Sequence, residues 1–270
     1  MGSGTMQAST DAKEVHNDVS AESRHQQILR MLAERGTLSI TDLAELFEVS
    51  DMTIRRDLNQ LSAAGLLVRT RGGAAAPASG SFEPPFALRE LTRTDAKREI
   101  AAAAAGLVVD GQTVLLDGGT TGLAIAEALA GRNLTVCALN IRVAQVLSAE
   151  SSMRVMVPGG FIRPGEFSLV GPDAEATLSR FRFDVYLMTA SGLTVDAGVT
   201  EWNTEDAAVK RAALAASRHT VLVADAAKFG AEAFVRVCPL SAVDQLVTDA
   251  ALSREHRQEL AAAGAELVVA

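Results

Sequence analysis

Apolar residues recur at three- and four-residue intervals through the first quarter of the chain. They then give way to short apolar runs that alternate with helical stretches. Ile28, Leu29 and Leu32 share one face of a helix that begins near Ser23, with Gly36 as its C-terminal stop. Ser39 opens a second helix, with Asp42 as a short capping-box partner and Leu43, Leu46 and Phe47 as its apolar face. Glu48 and Val49 make a tight turn. Ser50 then caps a third helix, Asp51 lies near its N-terminal dipole, and Ile54, Leu58 and Leu61 form a buried stripe that ends near Gly65. Leu66, Leu67 and Val68 with the turn Arg71-Gly72-Gly73 read as a small hairpin, or wing.

The stretch from Ala74 to Pro85 is rich in Ala, Ser, Gly and Pro and reads as a linker. Beyond it the pattern predicts strands at Thr113–Asp117, Leu134–Leu139, Arg154–Val157, Val185–Thr189, Thr220–Asp225 and Gln245–Thr248. Helices are predicted at Ala96–Val109, Gly122–Ala130, Val143–Ala149, Asp173–Arg180, Glu205–Ser217 and Arg254–Ala263. Strands that are apolar throughout, alternating with helices, imply a doubly wound, mostly parallel α/β sheet covered on both faces. The expected organisation is a disordered segment over 1–22, a winged helix-turn-helix over 23–75, a linker over 76–89 and an α/β domain over 90–270.

The longest apolar stretch, Ile100–Val109, is too short and too rich in alanine to cross a bilayer. With two cysteines, Cys137 and Cys238, no disulfide framework is possible, and a reducing, cytoplasmic location without membrane contact is expected. The histidines at 16, 25, 219 and 256 are scattered, so no metal and no cofactor is expected.

The net charge of −8 argues against nucleic acid until its distribution is considered. Residues 1–23 carry −3 and residues 77–270 carry −6, whereas residues 24–76 carry +1, with Arg55, Arg56, Arg69 and Arg71 bunched there. The second helix of a helix-turn-helix lies in the major groove and presents its N-terminal residues to base edges. Ser50, Thr53, Arg55 and Arg56 are therefore the candidate DNA-reading residues, with Arg69 and Arg71 on the wing. Two adjacent arginines alone usually only solvate a helix; the spacing of the whole segment favours DNA.

In the larger domain, Asp117-Gly118-Gly119-Thr120-Thr121-Gly122 follows a strand and opens a helix, a context suited to an anion. Asn140, Gly160 followed by Arg163, Gly192 and Asp225 come at or after other strand ends, where such sheets bind ligands. Several of these residues also admit plainer roles. Lys210 can pair with Glu205 and Asp206 along one helix, Asp225 can cap its turn, Lys228 can be a solvated loop lysine, and Trp202 can pack rather than flank a pocket.

The run Val49-Ser50-Asp51-Met52-Thr53-Ile54-Arg55-Arg56-Asp57-Leu58, with Leu61 and then Arg71-Gly72-Gly73-Ala74, resembles the signature of DeoR-type bacterial transcription regulators. The family usually has His where Arg71 stands. The resemblance extends to about Asp249 and implies a sensor domain similar to ribose-5-phosphate isomerase, with a phosphorylated sugar or related metabolite as effector. Carried across by position, Asp117, Gly118, Gly119, Thr120 and Thr121 would hold the phosphate. Asn140 and Gly160 would line the pocket, and Glu205, Lys210, Asp225 and Lys228 would close it. Operator DNA and a second copy of the chain, as dimer or tetramer, are the implied partners, and repression the implied direction. The alternative is a sugar-phosphate isomerase with a fused DNA-binding head. Against it, no carboxylate stands between Ala190 and Thr194, where the isomerases carry an Asp-rich stretch.

Overall fold

A computed structural model describes residues 21–63, 66–75 and 83–270, and all side chains there except those of residues 22, 33 and 34. The expected disordered segment falls mostly outside the described residues, as do Gly65 and the first half of the expected linker.

Helices α1 (Ala21–Arg35), α2 (Ile40–Phe47) and α3 (Asp51–Ala63) bury Ile28, Leu32, Leu43, Ile54, Leu58 and Leu61 in one core. The helical spacing had singled out these positions. Leu46 is a correction: it is more than half exposed, and Ile40, Leu43 and Ala44 form the buried face of α2. The Ser39 hydroxyl caps α2 by accepting from the Thr41 amide at 3.2 Å, not through a box with Asp42. Strands β1 (Thr37–Ser39), β2 (Val68–Thr70) and β3 (Gly73–Ala75) form an antiparallel sheet in the order β1-β3-β2. β1 is too short to show a period, so the wing gains a strand the pattern did not reveal. Gly73 is required there, because a Cβ would collide with the Leu38 carbonyl.

A short helix, α4 (Phe86–Glu90), straddles the end of the expected linker, and its Phe86 and Leu88 are buried. Helix α5 (Thr94–Gly106) then leads to β4 (Thr113–Leu116), α6 (Gly119–Leu129), β5 (Thr135–Ala138), α7 (Ile141–Ser148) and β6 (Arg154–Met156). A small hairpin, β7 (Phe161–Ile162) and β8 (Leu169–Val170), precedes α8 (Pro172–Leu178) and β9 (Phe183–Thr189). Next come β10 (Gly192–Thr194), β11 (Gly198–Glu201), α9 (Thr204–Ala215), β12 (Ser217–Val223), β13 (Val235–Cys238), β14 (Gln245–Thr248), α10 (Arg254–Ala262) and β15 (Glu266–Val269).

Seven strands form one parallel sheet in the order β15-β14-β12-β9-β4-β5-β6. The faces alternate along each strand. Val114 and Leu116 join the core that includes Ile100, Ala104 and Ile125, while Leu115 joins the core of Ala174, Tyr186 and Ala213. The architecture is thus the doubly wound α/β sheet that the apolar runs predict. The chain leaves β4 toward β5 and β6, then returns to the other side of β4 with β9. That reversal opens a crevice at the carboxyl ends of β4 and β9.

Candidate functional sites

On α3 the buried stripe of Ile54, Leu58 and Leu61 turns Met52, Arg55, Arg56, Asn59 and Gln60 outward onto one open face, with Thr53 at its edge. Neither Arg55 nor Arg56 makes an ion pair among the described residues, so both present a full guanidinium. Ser50 is engaged as the cap: its hydroxyl accepts from the Thr53 amide at 3.2 Å and meets the Thr53 hydroxyl at 3.0 Å. Arg69 is half-buried and donates to the Gly73 carbonyl at 2.8 Å, bracing the wing turn, while Arg71 stands exposed at its tip. Beneath this face lies Asp57, which the sequence reading passed over. The Arg24 guanidinium binds both its oxygens, at 2.6 and 3.2 Å, and His25 lies 3.0 Å away. Burial pushes the Asp57 carboxyl up, but the hydrogen bonds from Arg24 and His25 outweigh it and hold the pKa below the usual value. Its position one turn after Ile54, on the apolar stripe, was the available signal.

The crevice of the α/β domain holds two adjoining cavities that share Arg89, Gly118, Gly119, Thr189 and Ala190. At the base is Lys210. Its ammonium lies 2.7 Å from Asp117 Oδ2 and 2.6 Å from Glu201 Oε1, and it donates to the Thr189 carbonyl at 2.6 Å. Burial alone would lower the Lys210 pKa, but Asp117 and Glu201 raise it overall, so the lysine stays charged. Its partners come from other elements, not from Glu205 and Asp206 on its own helix. Asp117 is equally committed, accepting from the amides of Gly118 at 2.7 Å and Thr189 at 2.9 Å. It lines the first cavity as an inward-facing carboxylate rather than joining the loop amides around an anion. Glu201 also accepts from the Ser191 hydroxyl at 2.5 Å.

The first cavity continues to Asn140, Arg163, Glu166 and Asp206, with Glu83 and Arg89 closing its outer side. Asn140 donates to the Glu166 carbonyl at 2.8 Å and caps α7 by accepting from the Arg142 amide. Arg163 pairs with Asp206 and with Glu83, each at 2.7 Å. Burial, assisted by Glu201, pushes the Asp206 pKa up to about 6 although Arg163 and Ser168 oppose it. Three expectations change here. Glu205 is exposed and lines neither cavity; Asp206, one turn before Lys210 on α9, takes that place. Gly160 lines neither cavity: its φ is +86°, and a Cβ would strike the Val170 carbonyl. Gly192 also lies outside the lining, buried where a Cβ would strike the Ala231 carbonyl. Both glycines are there for backbone conformation or close approach. Trp202 is half-buried and lines neither cavity.

The second cavity combines Gly119, Thr120 and Thr121 at the start of α6 with Lys97, Lys228, Arg89, Arg93 and Thr92. Arg93 is paired with Asp225 at 3.1 Å and Asp249 at 2.8 Å. Asp225 also caps its turn by accepting from the Ala227 amide at 3.0 Å. Neither Lys97 nor Lys228 forms an ion pair among the described residues. The Lys97 ammonium donates instead to the carbonyls of Arg89 and Thr92. Burial, reinforced by repulsion from Lys228, Arg89 and Arg93, lowers its pKa to about 8 against the pull of Asp225. Burial likewise lowers the Lys228 pKa. Lys97 was legible in principle: it sits one turn before Ile100 and Ala101 on the buried face of α5. Among the described residues no group of His, Cys, Asp or Glu is placed to hold a metal ion, and no helix is long and apolar enough to cross a membrane. Burial pushes the Cys137 thiol up to about 12, leaving it unreactive.

A model of the DeoR-like helix-turn-helix domain matches residues 24–79, and one of the DeoR C terminal sensor domain matches residues 92–250. The chain is 37% identical over 228 residues to the "Glycerol-3-phosphate regulon repressor" of Escherichia coli (strain K12), covering 84% of this chain and 90% of that protein. It is 36% identical over 233 residues to the "HTH-type transcriptional repressor CsqR" of the same organism, covering 86% and 89%. Among solved structures, ribose 5 phosphate isomerase A from Neisseria gonorrhoeae aligns at a TM-score of 0.38 and 16% identity, over 51% of this chain and 54% of that one. A probable sor operon regulator from Shigella flexneri aligns at 0.42 and 11%, over 61% and 88%. Structural likenesses this distant bear on neither ligand nor chemistry.

Proposed function

The chain belongs to the DeoR family of DNA-binding transcription regulators and is a regulator rather than an enzyme, and from that premise we propose that it represses a carbohydrate-metabolism operon under the control of a phosphorylated sugar. The α3 face of Arg55 and Arg56 reads the operator, with Thr53 beside them and Arg71 reaching from the wing. A single head this small, with so few free cations, binds weakly, so two copies act together on half-sites spaced by whole helical turns.

The observation that carries the effector reading is the second cavity. Two lysines that form no ion pair among the described residues face the start of α6, where amides and threonine hydroxyls supply further donors. Cations held together by a fold at a cost to their own pKa values are relieved by a dianion. The phosphate therefore sits on Gly119, Thr120 and Thr121 between Lys97 and Lys228. The sugar extends into the first cavity, where Asn140, Arg163 and Asp206 meet its hydroxyls. Asp117 and Lys210 form the floor beneath it and Asp225 steadies Arg93.

Thermal melting against triose, pentose and hexose phosphates, the matching free sugars and inorganic phosphate tests this reading. A ligand at a hundred times its Kd stabilises by about 2.7 kcal/mol. The expected result is a raised Tm with a phosphosugar and none with its free sugar. No shift across the panel would remove the effector assignment and leave the DNA-binding one.

A further inference from the structure

Two residues at the described end of the segment that joins the two units, Glu83 and Arg89, line one side of the candidate cleft. Glu83 lies three residues before α4, and its carboxylate is shared by two arginines: Oε2 is 2.7 Å from Arg163 and Oε1 is 3.2 Å from Arg89. Each arginine also has a carboxylate of its own from the sensor fold, Asp206 for Arg163 and Glu166 for Arg89. Glu83 and Arg89 come from the segment that precedes the sensor domain, whereas Arg163, Glu166 and Asp206 belong to the domain itself. Removing Glu83 leaves both arginines paired and gives each free N–H donors facing the cavity.

Helix α4 is attached on both sides. Leu88 is buried in the core built by Ile28, Leu32, Leu43 and Ile54, and α4 packs against α1. Arg89 follows it immediately, about 100° round the helix, and points into the cleft. The Arg89 carbonyl, in turn, accepts from the Lys97 ammonium in the phosphate cavity. Phe86, at the other end of α4, stacks on Arg142 with the guanidinium 3.6 Å from the ring centroid. Glu83, Arg89 and Lys97 are thus linked through α4 to Leu88 and the DNA-binding core.

We propose that Glu83 is a built-in occupant of the effector cleft, which the hydroxyl oxygens of the bound phosphosugar displace from Arg89 and Arg163. Because Glu83 leads into α4, this exchange is the step by which occupancy reaches the DNA-binding unit. The inference rests on the effector reading above and adds its coupling. The exchange is one of like for like, since the hydroxyl oxygens of a ligand can accept from the same guanidinium N–H groups that Glu83 holds. A ligand can shift the DNA-binding unit only if it favours one of two arrangements, and Glu83 seated or displaced supplies those two.

The test compares the full chain with Glu83→Gln and Glu83→Ala, each of which removes the carboxylate, using ligand titration and amide hydrogen exchange over residues 86–91. If Glu83 is seated nine times in ten, its removal tightens phosphosugar binding about tenfold. Inorganic phosphate in the Lys97–Lys228 cavity meets Arg89 but not Arg163, so it should gain less than the phosphosugar does. Exchange over 86–91 should speed up in both variants without ligand, to the level that the unaltered protein reaches with it. Equal or weaker phosphosugar binding in both variants, with exchange unchanged, overturns the proposal. If no phosphosugar binds the unaltered protein, the effector reading fails. The exchange measurement then still decides whether Glu83 holds α4 in place: faster exchange over 86–91 in the variants supports it, and unchanged exchange overturns it.

Discussion

The ammonium of Lys210 stands 2.7 Å from the Asp117 carboxylate, with Glu201 at 2.6 Å on its other side, so one buried cation holds two buried anions together at the switch point of the sheet. Removing the cation alone leaves two uncompensated carboxylates, a loss of about 3–5 kcal/mol in buried pairs. Lys210→Met should lower stability by that order in urea denaturation. A variant of normal stability that merely fails to bind the effector would show that Lys210 is a ligand-binding residue instead.

Asp57 and Arg24 play the corresponding part in the DNA-binding unit. Asp57→Asn should destabilise it by about 3 kcal/mol, because it breaks a buried ion pair with Arg24. The folded-state pKa of Asp57 is depressed, so this stability is present above the unfolded carboxyl value of about 3.9 and is lost as pH falls below it. Unfolding followed by circular dichroism between pH 6 and 3 should show the decline in the parent and a flatter profile in Asp57→Asn.

Arg55→Ala and Arg56→Ala should each weaken operator binding by about 1–3 kcal/mol and together abolish it. Both side chains are exposed and lie outside both effector cavities, so ligand-induced stabilisation should be unchanged. A retained footprint in the double variant would overturn the assignment of α3 as the reading helix.

Lys97 predicts a pH dependence for the phosphate cavity. Its free pKa lies at about 8, and a bound anion raises it, so binding takes up a proton above pH 8. Phosphate affinity should fall as pH rises from 8 to 9.5 in calorimetric titration. Lys97→Met should bind at least tenfold more weakly and with a shallower slope, what remains of it coming from Lys228. An identical slope in the variant would place the titrating group elsewhere.

Six of the seven strands of the sensor sheet were legible because residues such as Val114, Leu115 and Leu116 are buried on both faces and leave an unbroken apolar run. β1, β7, β8, β10, β11, β13 and β15 were not, since two to four residues show no period. At the site, Arg163 and Lys228 declared themselves by type and by position at strand ends. Glu83 and Arg89 did not, because a Pro-rich stretch reads as a linker and nothing local shows what it lies against. The Glu205 expectation was wrong by one residue: helical phase places Asp206, not Glu205, one turn from Lys210 on the cleft side. The partners of Lys210 come from β11 and from the loop after β4, and only the folded sheet brings them together.

The central claim is that a phosphosugar in the α/β domain sets the DNA affinity of the helix-turn-helix. The direct measurement is operator affinity, on duplexes selected by the protein itself, at constant salt with and without each phosphosugar and its free sugar. The account expects one phosphosugar to change the affinity by at least about fivefold, a coupling of about 1 kcal/mol, with its free sugar inert. Unchanged affinity with a phosphosugar shown to occupy the cleft would contradict it.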